Sequence, residues 1–149
     1  MTRVDFYIAE SNAAGSREQI ACRLVDKAYR LGHRIYVHTD TAEQAKRIND
    51  LLWTFQAGSF IPHELNNATS ETAAPVLIGY DGSPHPGWEV LVNLAAAVPT
   101  FFSSYARVAE VVDQSETVKA QTREHYRFYR DRGYPIETHT LTGGSNRDE

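Results

Sequence analysis

Apolar residues in this chain fall into short runs and recur at two different spacings. Val4 to Ala9, "VDFYIA", is an unbroken β-rich run, followed by a polar loop, "ESNAAG". From Ser16 the spacing lengthens. Ile20, Leu24, Ala28 and Leu31 recur as on one side of a helix, and Gly32 supplies a stop. Ser16, with Gln19 three residues on, predicts a capping box at the start of that helix. The same geometry turns Cys22 away from Ile20 and Leu24. "RIYVHT", Arg34 to Thr39, predicts a second strand. Asp40 or Thr41 then caps a second helix running to about Phe55, with an apolar stripe of Ala45, Ile48, Leu51, Leu52 and Phe55.

Further on, "APVLIGY", Ala74 to Tyr80, is nearly all apolar, as expected of a strand covered on both faces. "WEVLVNLA" and "ARVAEVVD" predict two more strands, and "AAVPTFFSSY" between them predicts a short helical turn. A last helix spans Ser115 to Arg132 and stops at Gly133. "PIETHTL" closes the pattern as a strand. Strands alternating with helices predict one three-layer α/β/α domain over residues 1–141, with a mostly parallel central sheet. Residues 142–149, "TGGSNRDE", form a polar tail expected to be disordered. No internal repeat or linker divides the chain.

Composition narrows the function classes. At 149 residues with 42% hydrophobic and 23% charged residues, the chain is of ordinary globular make-up. A net charge of -4 argues against a general nucleic-acid binder, which needs a basic balance. One cysteine rules out an internal disulfide and a thiolate zinc cage. No signal peptide or long apolar span is visible, so the expected location is the cytoplasm.

The usual chemistry of an α/β sheet is missing. The first strand-to-helix turn, "AESNAAGSREQ", has one glycine and no lysine, and matches neither a dinucleotide turn nor a Walker loop. "YDGSPHPGW", Tyr80 to Trp88, carries two prolines that remove amide donors a phosphate needs, and reads as a surface turn. The six histidines are scattered without ligand spacing, and no nucleophile elbow exists. No cofactor, metal or catalytic residue is expected.

Two surfaces do not read as core. On the last helix, Val118, Thr122, His125 and Tyr129 share one side. Lys119, Arg123, Arg127 and Arg130 share the opposite half, with Tyr126 beside them. Glu124 is the only acid in the middle of this helix, so the cations are expected to lack close partners and to await an anionic ligand. A solvated helix face is the competing interpretation. On the second helix, Trp53 projects away from the apolar stripe, and "SFIPHEL" places Phe60 and Ile61 before Pro62 in a segment that cannot be regular helix. These aromatics are either buried under the loop or form an apolar patch for a protein partner.

"FYIAE", "LLWTFQAGSFIPHEL" and "VKAQTREHYRFYRDRGY" resemble, in order and spacing, the chi subunit of bacterial DNA polymerase III holoenzyme. The likeness covers residues 4–141, and Trp53 to His63 is its most specific piece. The resemblance implies a Rossmann-like fold with no working nucleotide-binding loop. It also implies a non-catalytic accessory subunit of the clamp-loader complex that pairs with the psi subunit. Such a subunit binds the acidic C-terminal tail of single-stranded DNA-binding protein. By motif position, Lys119, Arg123, Tyr126, Arg127 and Arg130 correspond to the tail site. Trp53, Phe60, Ile61, Pro62 and His63 correspond to the psi surface, which an accessory helicase can also use. Position 127 carries Arg where lysine is familiar in the family. Two competing interpretations are an enzyme using a nucleotide or methyl donor and a direct nucleic-acid binder; the turn "SNAAGS" and the acidic total charge speak against them in turn.

Overall fold

A computed structural model describes residues 2–10, 13, 15–55, 60–65, 74–80 and 89–141. Its elements are β1 (Arg3–Ala9), α1 (Ser16–Arg30), β2 (Ile35–His38), α2 (Ala42–Thr54), β3 (His63–Leu65), β4 (Val76–Gly79) and β5 (Val90–Asn93). A 3-10 turn (Phe102–Ser104), β6 (Arg107–Val112), α3 (Glu116–Asp131) and β7 (Ile136–Leu141) complete the chain. Seven strands form one sheet in the order β3-β4-β2-β5-β6-β1-β7. Every pairing is parallel, where a mostly parallel sheet was expected.

Strand parity divides the interior into two cores. Tyr7, Ile35, Val37, Val76 and Ile78 face α1 and α2, where they meet Ile20, Val25, Ile48 and Leu52. Their neighbours Val4, Phe6, Tyr36, Leu77 and Val108 face the other way, toward Phe102 and Tyr129. Burial on both faces accounts for the near-continuous apolar runs, since a parallel sheet has no wet side. All three layers therefore match the α/β/α expectation.

Several local expectations change. The N-cap of α1 is Gly15 in a left-handed conformation, and no side chain caps the helix, so Ser16 and Gln19 do not form a capping box. Cys22 is fully buried in the α1 core with Ala21 and Val25, not turned away from it. Leu31, expected on the apolar stripe, is 64% exposed at the C-cap of α1. By contrast, Thr41 caps α2 by accepting from the Gln44 amide at 3.1 Å, and Ser115 caps α3 by accepting from Val118 at 3.2 Å. Gly32 and Gly133, both at positive φ, follow the ends of α1 and α3. Strand β3 is an addition: three residues at the sheet edge carry too little pattern to be read. The loop 81–88, part of the loop after β1, and the tail 142–149 lie outside the described residues.

Candidate interaction surfaces

Helix α3 is held to the sheet by a buried polar cluster. Glu110 stands in the middle of β6, between Ala109 and Val111, and is 3% exposed. One of its oxygens accepts from the Tyr129 hydroxyl at 2.6 Å and from Asn93 Nδ2 at 3.0 Å. The other lies 3.0 Å from His125 Nδ1, while His125 Nε2 lies 2.7 Å from the Ala96 carbonyl. Both ring nitrogens thus face oxygen atoms, an arrangement that the doubly protonated imidazolium satisfies by donating to each. Burial pulls the His125 pKa down, but the hydrogen bond and charge of Glu110, with the Ala96 carbonyl, outweigh it and raise the pKa. Burial, then the Glu110 charge, pushes the Tyr129 hydroxyl well above its usual range.

With His125 and Tyr129 pinned inward, the opposite side of α3 must face outward. Arg123, Arg127 and Arg130 are exposed and Lys119 is half-buried. Tyr126, 41% exposed, rests its ring 5.6 Å from Phe6 and leaves an edge beside the cations. The expectation that these cations lack partners needs correction. Lys119 lies 3.6 Å from Glu116, Arg127 lies 2.9 Å from Glu124, and Arg130 lies 3.1 Å from Asp131. The partners stand at i,i+3 and i,i+1 rather than at i,i+4. Among the described residues Arg123 makes no ion pair, and it stands at the centre of the stripe. Exposed pairs of this kind contribute about 0–1 kcal/mol each, so an incoming carboxylate can replace them at little cost.

The second surface lies at the other end of the sheet. Trp53, near the end of α2, is 51% exposed, and Phe60 is 69% exposed, with ring centroids 5.8 Å apart. Pro62 is half-buried. Ile61 and His63, grouped with these residues from the sequence, are buried instead. Ile61 points into the α1/α2 core. His63 Nδ1 lies 2.6 Å from the Ile61 carbonyl and Nε2 lies 3.0 Å from the Asn49 carbonyl on α2. Its ring lies 4.5 Å from Trp53. His63 therefore ties the chain leading into β3 onto α2 and supports the indole from below. Alternation along "SFIPHEL" explains the split: Phe60 faces out, Ile61 in, and His63 in.

One ionic cluster was not anticipated. Asp5, fully buried, accepts from Arg107 Nε at 2.9 Å, lies 3.3 Å from Arg3, and meets His139 Nε2 at 3.0 Å. Arg107 also donates to the Tyr7 hydroxyl at 2.7 Å. Asp5, Glu137 and His139 hold possible ligand atoms within 4.8 Å of one another. The Asp5 oxygens, however, already face two guanidinium groups, which is the donor set of a salt-bridge network rather than a cation site. An acid flanked by apolar residues in a strand, as at Asp5 and Glu110, was the available signal for both buried clusters.

The DNA polymerase III chi subunit family model matches residues 1–137. The chain belongs to the chi subunit family of DNA polymerase III. A relative named DNA polymerase III subunit chi from Pseudomonas aeruginosa is 39% identical over 141 residues, covering 95% of this chain and 98% of the relative. Chi subunits from Haemophilus influenzae and Escherichia coli are 28% and 26% identical, covering 91% and 94% of this chain and 95% and 99% of the relatives. The crystal structure of T4 UvsW matches 95% of this chi-family chain with a TM-score of 0.69. At 10% identity, and with only 41% of the UvsW chain covered, that likeness concerns the fold alone. Among the described residues, no helix of the chi-family chain is long and apolar enough to cross a membrane.

Proposed function

We propose that this chi-family chain is a non-catalytic adaptor of the DNA polymerase III clamp loader, acting in the bacterial cytoplasm. In this reading the α3 stripe binds the acidic C-terminal tail of single-stranded DNA-binding protein. The Trp53 surface binds the psi subunit and, alternatively, an accessory helicase. The observation that carries the reading is Arg123, an exposed cation without an ion pair among the described residues, set between Lys119 and Arg127 and beside Tyr126. Lys119, Arg123 and Arg127 follow one another at single helical turns, a track of about 12 Å. Several carboxylates of an extended peptide meet such a track together. The part-exposed Tyr126 ring offers an apolar surface to the residue before the terminal carboxylate, and an Arg fork takes that carboxylate.

The test is a calorimetric titration with a peptide of the acidic tail, run beside a single-stranded oligonucleotide. The peptide should bind, weaken as salt rises because the contacts are exposed, and lose its affinity in Arg123→Glu, while the oligonucleotide shows no comparable binding. Equal peptide binding by parent and variant would make the stripe a solvated helix face. Preferential oligonucleotide binding would favour direct nucleic-acid recognition.

A further inference from the structure

Strand β7 is one outer edge of the sheet, and β3, beside Trp53, is the other. Val4 N–H donates to the Pro135 carbonyl and Glu10 N–H to the Leu141 carbonyl, both at 3.0 Å. Pairing with β1 runs unbroken from Ile136 to Leu141, so the odd-numbered residues of β7 turn their backbone groups toward β1. The N–H and C=O groups of Ile136, Thr138 and Thr140 consequently point away from the sheet. Glu137, Thr138 and Thr140 are exposed, and among the described residues no strand lies beyond this row. Natural edges are usually blunted by lysine, proline, a bulge or a very short strand. The six residues of β7, "IETHTL", show none of these.

The edge is complementary to itself. A second β7 laid antiparallel, with a two-fold axis through Thr138, sets Thr138 against Thr138 of the partner subunit and Ile136 against the partner's Thr140. Each such pair exchanges two backbone hydrogen bonds. Between these pairs Glu137 comes opposite the partner's His139, with Cα atoms about 4.5 Å apart. His139 Nε2 lies 3.0 Å from the buried Asp5, and among the described residues no hydrogen bond reaches Nδ1. An imidazolium set between Asp5 and the partner's Glu137 donates to a carboxylate on each side. Glu137 meets Arg3 at 3.5 Å, an exposed contact that a further cation can join. Moving the axis by one residue would bring Glu137 against Glu137 or His139 against His139, and like groups placed opposite one another disfavour pairing. We propose that β7 is a self-association edge, joining two copies of this chain into one continuous sheet through antiparallel β7 strands centred on Thr138. A second copy is the occupant because the two-fold axis satisfies both Glu137–His139 contacts at once.

Analytical ultracentrifugation of the full chain, from about 10 µM to about 1 mM, should show a monomer–dimer equilibrium, since so short an edge contact is weak. Thr138→Pro removes an N–H that β1 does not use, so the chain still folds and dimerisation should weaken about tenfold or more. Glu137→Lys, which leaves the backbone row intact, should weaken it to a similar degree. Trp53→Ala and Arg123→Glu should dimerise like the parent. Oxidative cross-linking reads the register. Across the axis the Thr138 Cα atoms lie about 5.5 Å apart, within disulfide reach, whereas those of Thr140 lie about 14 Å apart. Thr138→Cys should therefore form a disulfide-linked dimer far faster than Thr140→Cys, with the buried Cys22 taking no part. A chain monomeric at the highest concentration would overturn the proposal. So would a dimer that survives both Thr138→Pro and Glu137→Lys, loss of the dimer in Trp53→Ala, or equal cross-linking by the two cysteine variants.

Discussion

Replacing His125 by leucine tests how α3 is held. The substitution keeps an apolar body of similar reach but removes the donors to Glu110 and to the Ala96 carbonyl. Glu110 then remains buried at 3% exposure with only Tyr129 and Asn93 as donors. Removing one partner of a buried ion pair typically costs about 3–5 kcal/mol. The two surviving donors place this case near about 3 kcal/mol, because they still stabilise the carboxylate. For a chain of this length each kcal/mol moves the melting temperature by about 2–4 °C, so a fall of about 6–12 °C is expected. The pH dependence adds a second signature. The folded-state pKa of His125 is raised above its ordinary 6.5, so the pair's contribution is fully present below that value and is lost as pH rises through the folded pKa. The parent should therefore lose stability on the alkaline side of 6.5 through a component that His125→Leu lacks. Glu110→Met alone should also destabilise. The double replacement should cost less than the two single losses together, by about 0.5–3 kcal/mol, since it removes both buried charges. Urea unfolding at several pH values measures all of this. A melting temperature within 2 °C of the parent, or an unchanged pH slope, would refute the charged-pair account.

Trp53→Ala should lower stability by no more than about 1 kcal/mol, since the indole is half exposed, yet abolish capture of the psi subunit in a pull-down. His63→Ala should do both kinds of damage, destabilising by about 1–3 kcal/mol through the lost tie of β3 to α2 and the space left under Trp53, and weakening psi capture through a displaced indole. Cys22 is fully buried and burial pushes its thiol pKa up to about 12, so a thiol reagent should label it only after denaturation.

What could be read from the chain depended on the length of each signal. Long periodic segments such as α2 and α3, and apolar runs such as Val76–Gly79, carry enough repeats to set element type and facing. The basic stripe was legible for the same reason: once His125 and Tyr129 face inward, Arg123 and Arg127 must face outward. Helix α1 was misread because its two apolar flanks differ in function. Ala21, Cys22 and Val25 seal the core, whereas Leu24, Ala28 and Leu31 border a groove, and spacing alone does not rank the two. The anchoring of α3 was invisible for a different reason. Glu110, Asn93 and His125 meet only because β5, β6 and α3 are neighbours in space, across a sequence separation of 15–17 residues. Tertiary partners of that kind leave only an indirect trace, an acid where an apolar residue was expected.

The sheet order explains how so small a chain can offer separate surfaces without interference. The crossover from β1 to β2 passes α1 over one face, and the crossover from β6 to β7 passes α3 over the other. The strand next to β1 on one side is β6, and α3 leaves its end on the opposite face from α1. The cations of α3, which packs on β6, and the aromatics beside β3 are therefore separated by the strands β4, β2 and β5 and by the thickness of the sheet. Sites so far apart, with no shared side chains, lose binding energy independently when mutated. The adaptor role proposed above would need that property, because occupancy at one end must not compete with occupancy at the other. The parallel sheet, buried on both faces, supplies it by keeping the two surfaces apart.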